Sequence, residues 1–339
     1  MVLLLLFLLS SLLFLLWFLP FADLSLLVLT LFFGVEINEA TRWLEIPFIG
    51  FRVQTSDIAK VALVIYIART LAKYQGELNN FVLVTKLFIL PVFIICALIM
   101  PENLSTALMV FGICILIMFI GGIPFKYLVA YVGLAVVFAV LFGLILWLVV
   151  DDNRVLTWIQ RLIDFFTGKA GDTNDFQINQ AKIAISTGGL FGKAPGHSIQ
   201  RNLLPQSNSD FIFAIIIEEY GLVLGAIPLI LAYMILLFRG ITIVKKCETA
   251  FPAYLVMGLI VMIVTQAMLN MMVAVGILPV TGQTLPFVSW GRTSVIIMCF
   301  SIGVILSVSR VVNARIKKED LPEEEKKDEG VPIYGTASA

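Results

Sequence analysis

The chain has 339 residues, 60% of them hydrophobic and 14% charged. Soluble domains are about 45–50% apolar and about 25% charged, so this composition excludes a soluble globular protein. It specifies an all-α polytopic integral membrane protein, because the apolar runs are long and continuous, unlike the short alternating segments of an outer-membrane barrel. The formal net charge of +0 offers no field for nucleic acid or any other polyanion.

A membrane-spanning helix needs about 20 apolar residues. Runs of that kind fall at 2–19, 24–35, 57–72, 86–100, 105–122, 127–150, 213–238, 253–275 and 293–313, about nine spans in all. Lysine and arginine in short loops set orientation. Arg69, Lys73 and Lys86, then Lys126, then Arg239, Lys245 and Lys246, and finally Arg315, Lys317 and Lys318 share one side when the spans alternate. That side is the cytoplasm, and residues 36–56, 151–210 and 276–292 face outward. The same alternation puts the N-terminus outside without an export signal, as expected if an original first helix is lacking.

The first outer segment leads into "RWLEIPFIGFRVQTSDIAK", residues 42–60. Thr55 or Ser56 can cap the next helix, with Asp57 at its positive end. Asp57 and Lys60 are three apart and share a face, which fits either a local ion pair or a polar wall where Lys60 and Arg42 meet an anion. The long outer loop 151–210 opens with "VLTWIQRLIDFF", an amphipathic stripe expected to lie at the interface. It continues through "STGGLFGKAPGHS", whose glycines allow tight turns but lack phosphate-loop spacing, so a compact loop is the plainer reading. Lys193 and Arg201 could face a pyrophosphate there. His197 alone excludes a multi-histidine metal site, and the four cysteines have no metal or redox spacing.

"PQSNSDFIFAIIIEEYG", residues 205–221, then sets Asp210 at the outer start of a span and Glu218 and Glu219 about two turns deeper. Ionisable groups in a span are functional candidates. A helix-start aspartate is usually a cap, and glutamates within a span more often hold helices together than react. "GILPVTGQTLPFVSWGRTS", residues 276–294, is too long for a tight connector and reads as an outer loop lining a cavity. The chain divides into a transmembrane domain, 1–314, and a mixed-charge cytoplasmic tail, 315–339, expected to be solvated.

Taken together and in order, "NEATRW", "QTSDIAK", "PENLSTA", "AISTGGLFGK", "SDFIFAIIIEEYG" and "LPVTGQTLPFVSWGRTS" resemble the shape, elongation, division and sporulation family, the FtsW/RodA/SpoVE group, from about Asn38 to Arg310. The forms of "PQSNSDFIFAIIIEEYG" and "PENLSTA" are more similar to its division branch. Thr55, Asp57, Gln206 and Arg292 depart from the group's usual proline, glutamate, acid and glycine. The resemblance implies a helix bundle of roughly ten spans in the bacterial inner membrane at the division septum. It implies polymerisation of lipid II into glycan strands, with release of undecaprenyl pyrophosphate, beside a class B penicillin-binding transpeptidase and other divisome proteins.

The family's essential outer-loop aspartate falls on Asp210, which becomes the expected base. Arg42, Lys60, Lys193, Arg201 and Ser289 are the expected substrate-binding residues, and Asp57, Gln180, Ser186 and Glu219 the supporting ones. A divalent cation, magnesium or manganese, can assist the departing charge. The alternatives are a lipid II flippase, a non-catalytic scaffold, or a polymerase of the elongation branch.

Overall fold

The computed structural model describes residues 35–37, 40–46, 51–101, 103–149 and 174–319. The expected span at 2–19, that at 24–35 apart from its last residue, the interfacial helix at 155–166 and the tail from 320 onward lie outside the described residues; Val35 itself is in a strand.

A small antiparallel sheet precedes the helices. Its strands β1 (Val35–Ile37), β2 (Ala40–Ile46) and β3 (Phe51–Gln54) lie in the order β1-β2-β3, with Trp43 opposite Gln54 and Leu44 opposite Val53. Sequence analysis gave this stretch only as an outer connection; the bulky residues at 43, 44 and 46 carry the strand signal. The last strand runs directly into α1 (Thr55–Lys73), so the N-cap is Gln54 rather than Thr55 or Ser56. Gln54 makes no side-chain capping bond; its Nε2 donates to Ser56 Oγ at 3.2 Å.

The bundle continues with α2 (Phe81–Ile99), α3 (Leu104–Ile120) and α4 (Phe125–Val149). Within the long segment 151–210 come α5 (Asn174–Gly188) and the single turn α6 (Gln200–Leu203). The last three are α7 (Ile212–Lys245), α8 (Ala250–Ala274) and α9 (Arg292–Glu319). Each of the seven apolar runs expected from residue 57 onward forms one of these helices. Five of them, α2, α4, α7, α8 and α9, are long and apolar enough to cross a membrane, and α3 is apolar but shorter. The ninth helix also extends through Glu319, into the stretch read as tail.

Polarity decides which helices sit inside. In α8, Gln266 and Asn270 interrupt an otherwise apolar run, and α1 carries Asp57 and Lys60. Such groups need protein partners at membrane depth. The apolar stretch of α8 is accordingly 72% buried in protein, against 11% for α4, whose surface is left for lipid. Leu63, Ile67 and Leu71 of α1 pack with Leu259, Ile260 and Met262 of α8 in one continuous core.

Prolines shape two of the helices. A helical proline cannot donate to the carbonyl four residues back. Pro91 leaves Leu87 O without that donor, and Tyr66 Oη supplies it from α1 at 2.9 Å. A π-turn, Thr85–Ile89, stands just before Pro91, and a second, Leu222–Ala226, just before Pro228.

Candidate active site

Glu218 is fully buried on α7. A buried carboxylate requires compensating donors, and four converge on it. Lys193 Nζ donates at 2.7 Å and Ser198 Oγ at 2.5 Å. The main-chain N–H groups of Ile199 and Gln200 donate at 3.3 Å and 3.2 Å.

The main chain joins the same two segments. Helix α7 is interrupted at Gly221, whose φ is 77°. Lys193 and Ala194 N–H donate to Glu218 O and Glu219 O, while Leu222 and Val223 N–H donate to Gly189 O and Leu190 O. Only glycine permits this approach: a Cβ on Gly192 would stand 2.2 Å from Glu219 O, and one on Gly221 would stand 2.4 Å from Leu190 O. The glycine-rich stretch is therefore a compact loop clamped onto the break in α7, and the Lys193 charge is directed inward.

Asp210 lies on the turn between α6 and α7, half-buried, one residue before Phe211, the N-cap of α7. It is not itself the cap. The carbonyls of this turn are held at three successive residues. Trp290 N–H donates to Asn208 O at 2.9 Å, Ser289 Oγ to Ser209 O at 2.5 Å, and Asn270 Nδ2 to Asp210 O at 2.9 Å. Ser289 in turn accepts from Leu285 N–H at 2.7 Å. Ser289, expected to bind substrate, is buried and positions the Asp210 main chain.

A polar row extends inward from this turn along α8. Asn270 also donates to Gln283 O at 2.7 Å, and Gln283 Nε2 donates to Thr106 Oγ1 of α3 at 2.7 Å. One turn deeper, Gln266 Oε1 accepts from Lys60 Nζ at 3.1 Å while its Nε2 donates to Thr284 O at 3.0 Å. Lys60 is buried and pairs with Asp57 at 2.7 Å. Asp57 and Lys60 thus come together as their spacing suggests, facing Gln266 and not the outer solvent that a snorkelling lysine would seek.

The 276–291 loop lines a cavity, as its length suggested. An apolar groove of about 840 Å³ runs between α3, α4 and α8, walled by residues such as Leu116, Phe119, Val132 and Leu269. Leu278, Pro279, Thr281 and Gln283 of the loop close one end, with Ser105 beside them. Gln283 therefore belongs to the groove and, through Asn270, to the support of Asp210.

The remaining expected residues are spread out. Arg201 is exposed on α6, and Gln180 is half-buried on α5. Exposed Ser186 donates to Ile183 O within its own helix at 2.9 Å. Glu219 is half-buried, and its carbonyl receives Ala194 N–H at 3.0 Å. Arg42 is on β2, and its side chain lies outside the described residues. Among the described residues no three His, Cys, Asp or Glu side chains are grouped to hold a metal ion. Sequence reasoning passed over Gln266, Asn270 and Gln283 because it searched spans for charge. Two amides four apart in "VTQAMLNMM" were the available signal.

A family model described as "Cell cycle protein", FtsW/RodA/SpoVE, matches residues 1–314. "Stage V sporulation protein E" of Bacillus subtilis is 34% identical over 291 residues, covering 84% of this chain and 76% of that protein. "Peptidoglycan glycosyltransferase MrdB" of Escherichia coli is 32% identical over 280 residues, covering 81% and 72%. "Probable peptidoglycan glycosyltransferase FtsW" of Geobacter metallireducens is 32% identical over 279 residues, covering 81% and 71%. Among solved structures, a chain of the complex described as "Structural coordination of polymerization and crosslinking by a peptidoglycan synthase complex" superposes with a TM-score of 0.69 at 25% identity, covering 88% of this chain and 81% of that one. The rod shape determining protein RodA of Thermus thermophilus superposes with a TM-score of 0.61 at 26% identity, covering 89% and 79%. With the family model spanning nearly the whole sequence, the chain belongs to the FtsW/RodA/SpoVE family of cell cycle proteins.

Proposed function

We propose that this protein is a peptidoglycan glycosyltransferase that polymerises lipid II at the outer face of the bacterial inner membrane, with Asp210 as the base. The observation that carries this reading is the Asp210 turn, gripped at three successive carbonyls beside an apolar groove that shares Gln283 with its supports. A fixed, half-exposed carboxylate next to a hydrocarbon-sized groove suits a lipid-linked sugar. The Asp210 carboxylate takes the proton of the acceptor sugar hydroxyl as that oxygen bonds the donor's anomeric carbon. The bond from that carbon to the pyrophosphate oxygen breaks, and its electron pair leaves on undecaprenyl pyrophosphate without a general acid. A magnesium or manganese ion would be held there by the Asp210 carboxylate and would supply positive charge for the departing pyrophosphate.

The flippase alternative needs an unpaired polar route through the bilayer. The interior ion pairs here, Asp57–Lys60 and Lys193–Glu218, are closed on themselves, which favours the enzyme. The motif forms favour the division branch, working at the septum with a class B penicillin-binding transpeptidase and other divisome proteins. Filamentation on depletion fits division, whereas rounding of the cells would place the protein in elongation. Purified with its transpeptidase, the protein should polymerise lipid II, and Asp210→Asn should abolish the activity while expression and partner binding persist. Near-normal glycan synthesis by Asp210→Asn would remove Asp210 from the base role.

A further inference from the structure

The charges along the outer loop raise a question of supply. A pyrophosphate needs cations, yet the two lysines expected to provide them are neutralised within the protein, Lys60 by Asp57 and Lys193 by Glu218. Lys182 is different. It is exposed on α5 and has no hydrogen-bond or ion-pair partner among the described residues.

Its place is set by a glycine. Gly276 follows α8 with a φ of +78°, and a Cβ built there would stand 2.4 Å from Lys182 Cε and 2.9 Å from Lys182 Nζ. The lysine stem therefore lies directly across the bare backbone at the C-terminal end of α8. A lysine in such a place could simply serve the helix carbonyls. Three of the last four carbonyls already have main-chain donors: Val275 N–H to Met271 O, Ile277 N–H to Met272 O, and Gly276 N–H to Val273 O. The cap is therefore made largely by the main chain.

Two neighbours give it a use. Two residues after Gly276 the loop reaches Leu278 and Pro279, which close one end of the apolar groove. Next to Lys182 in sequence, Ala181 packs in one cluster with Phe211, the residue after Asp210. An exposed cation thus lies across Gly276, two residues from the groove's loop-lined end, on a helix that packs against the residue after Asp210. An amphiphile with an apolar chain and an anionic end matches both features at once.

We propose that Lys182 binds the phosphate end of a polyprenyl phosphate substrate whose hydrocarbon chain occupies the groove between α3, α4 and α8. This rests on the glycosyltransferase reading for the identity of the substrate, but its test needs no turnover. Binding of farnesyl pyrophosphate and of farnesol to the full-length protein in detergent is measured for the unsubstituted chain and for Lys182→Ala, Lys182→Glu and Lys182→Arg. The pyrophosphate should bind tighter than the alcohol. Lys182→Ala should weaken it about tenfold, as for loss of one charge-assisted contact; Lys182→Glu should weaken it further and Lys182→Arg little. Farnesol binding should be unchanged across the three, whereas Leu116→Trp in the groove wall should reduce binding of both probes. With divalent cations chelated, Asp210→Asn should bind both normally, so failure of the base assignment is read separately from failure of this site. Equal affinity for the two probes, or pyrophosphate binding indifferent to Lys182→Glu, overturns the proposal.

Discussion

Replacing Glu218 by alanine tests what a carboxylate does inside an apolar helix. Its oxygens accept from Lys193, Ser198 and two main-chain N–H groups, and the side chain has no access to solvent. Truncation leaves those N–H groups and the Ser198 hydroxyl without an acceptor, each at a cost of about 1 kcal/mol or more. Lys193 is 29% exposed and can turn to water, so the loss of its ion pair counts for less than in a dry interior. The sum is on the order of 3 kcal/mol, and it falls on the loop from 193 to 204 before it falls on the bundle. Protected amides in that loop should therefore exchange with solvent about a hundredfold faster, with a smaller effect in Lys193→Ala, which keeps the three other donors. Hydrogen exchange resolved by peptide, on protein in detergent, reads this directly. If Glu218→Ala loses polymerisation while the loop exchanges as before, the carboxylate takes part in chemistry and the structural account fails.

Asn270→Ala removes one of the three grips on the Asp210 turn, and a displaced base should lower kcat about tenfold with KM little changed; steady-state polymerisation with an intact thermal midpoint is the check, and an unchanged kcat would show that Ser289 and Trp290 suffice. Asp57→Ala and Lys60→Ala should damage the protein about equally, and the double variant should be no worse than either, because each leaves the other charge buried without its 2.7 Å partner. A clear excess loss in Lys60→Ala, rescued by Lys60→Arg, would instead restore Lys60 to anion binding.

The membrane bundle was legible from sequence because its signal is additive along the chain. Any run of about 20 apolar residues must satisfy its backbone within itself, which is why the seven runs from residue 57 onward all became helices. Asp210 was legible for a different reason, its place in a motif string that resembles a family; as a residue type it looked like a cap. The spacing of Asp57 and Lys60 announced their pairing, but Gln266, the third member of that contact, lies 206 residues from Lys60. No local pattern could join them.

Cations show the same division. Composition and order determined that the protein spans a membrane, that the polar segments between its spans carry lysine and arginine, and that a carboxylate stands at the start of α7. Which of those charges are spent inside the fold was decided only by tertiary structure. A charge counts for a ligand only if no protein group has already matched it, and in a medium of low dielectric that matching depends on contacts of a few ångström between segments remote in sequence. Lys193 meets Glu218 because α7 breaks at Gly221 and receives the 188–194 loop, while Lys182, eleven residues earlier on α5, lies across the bare backbone of Gly276.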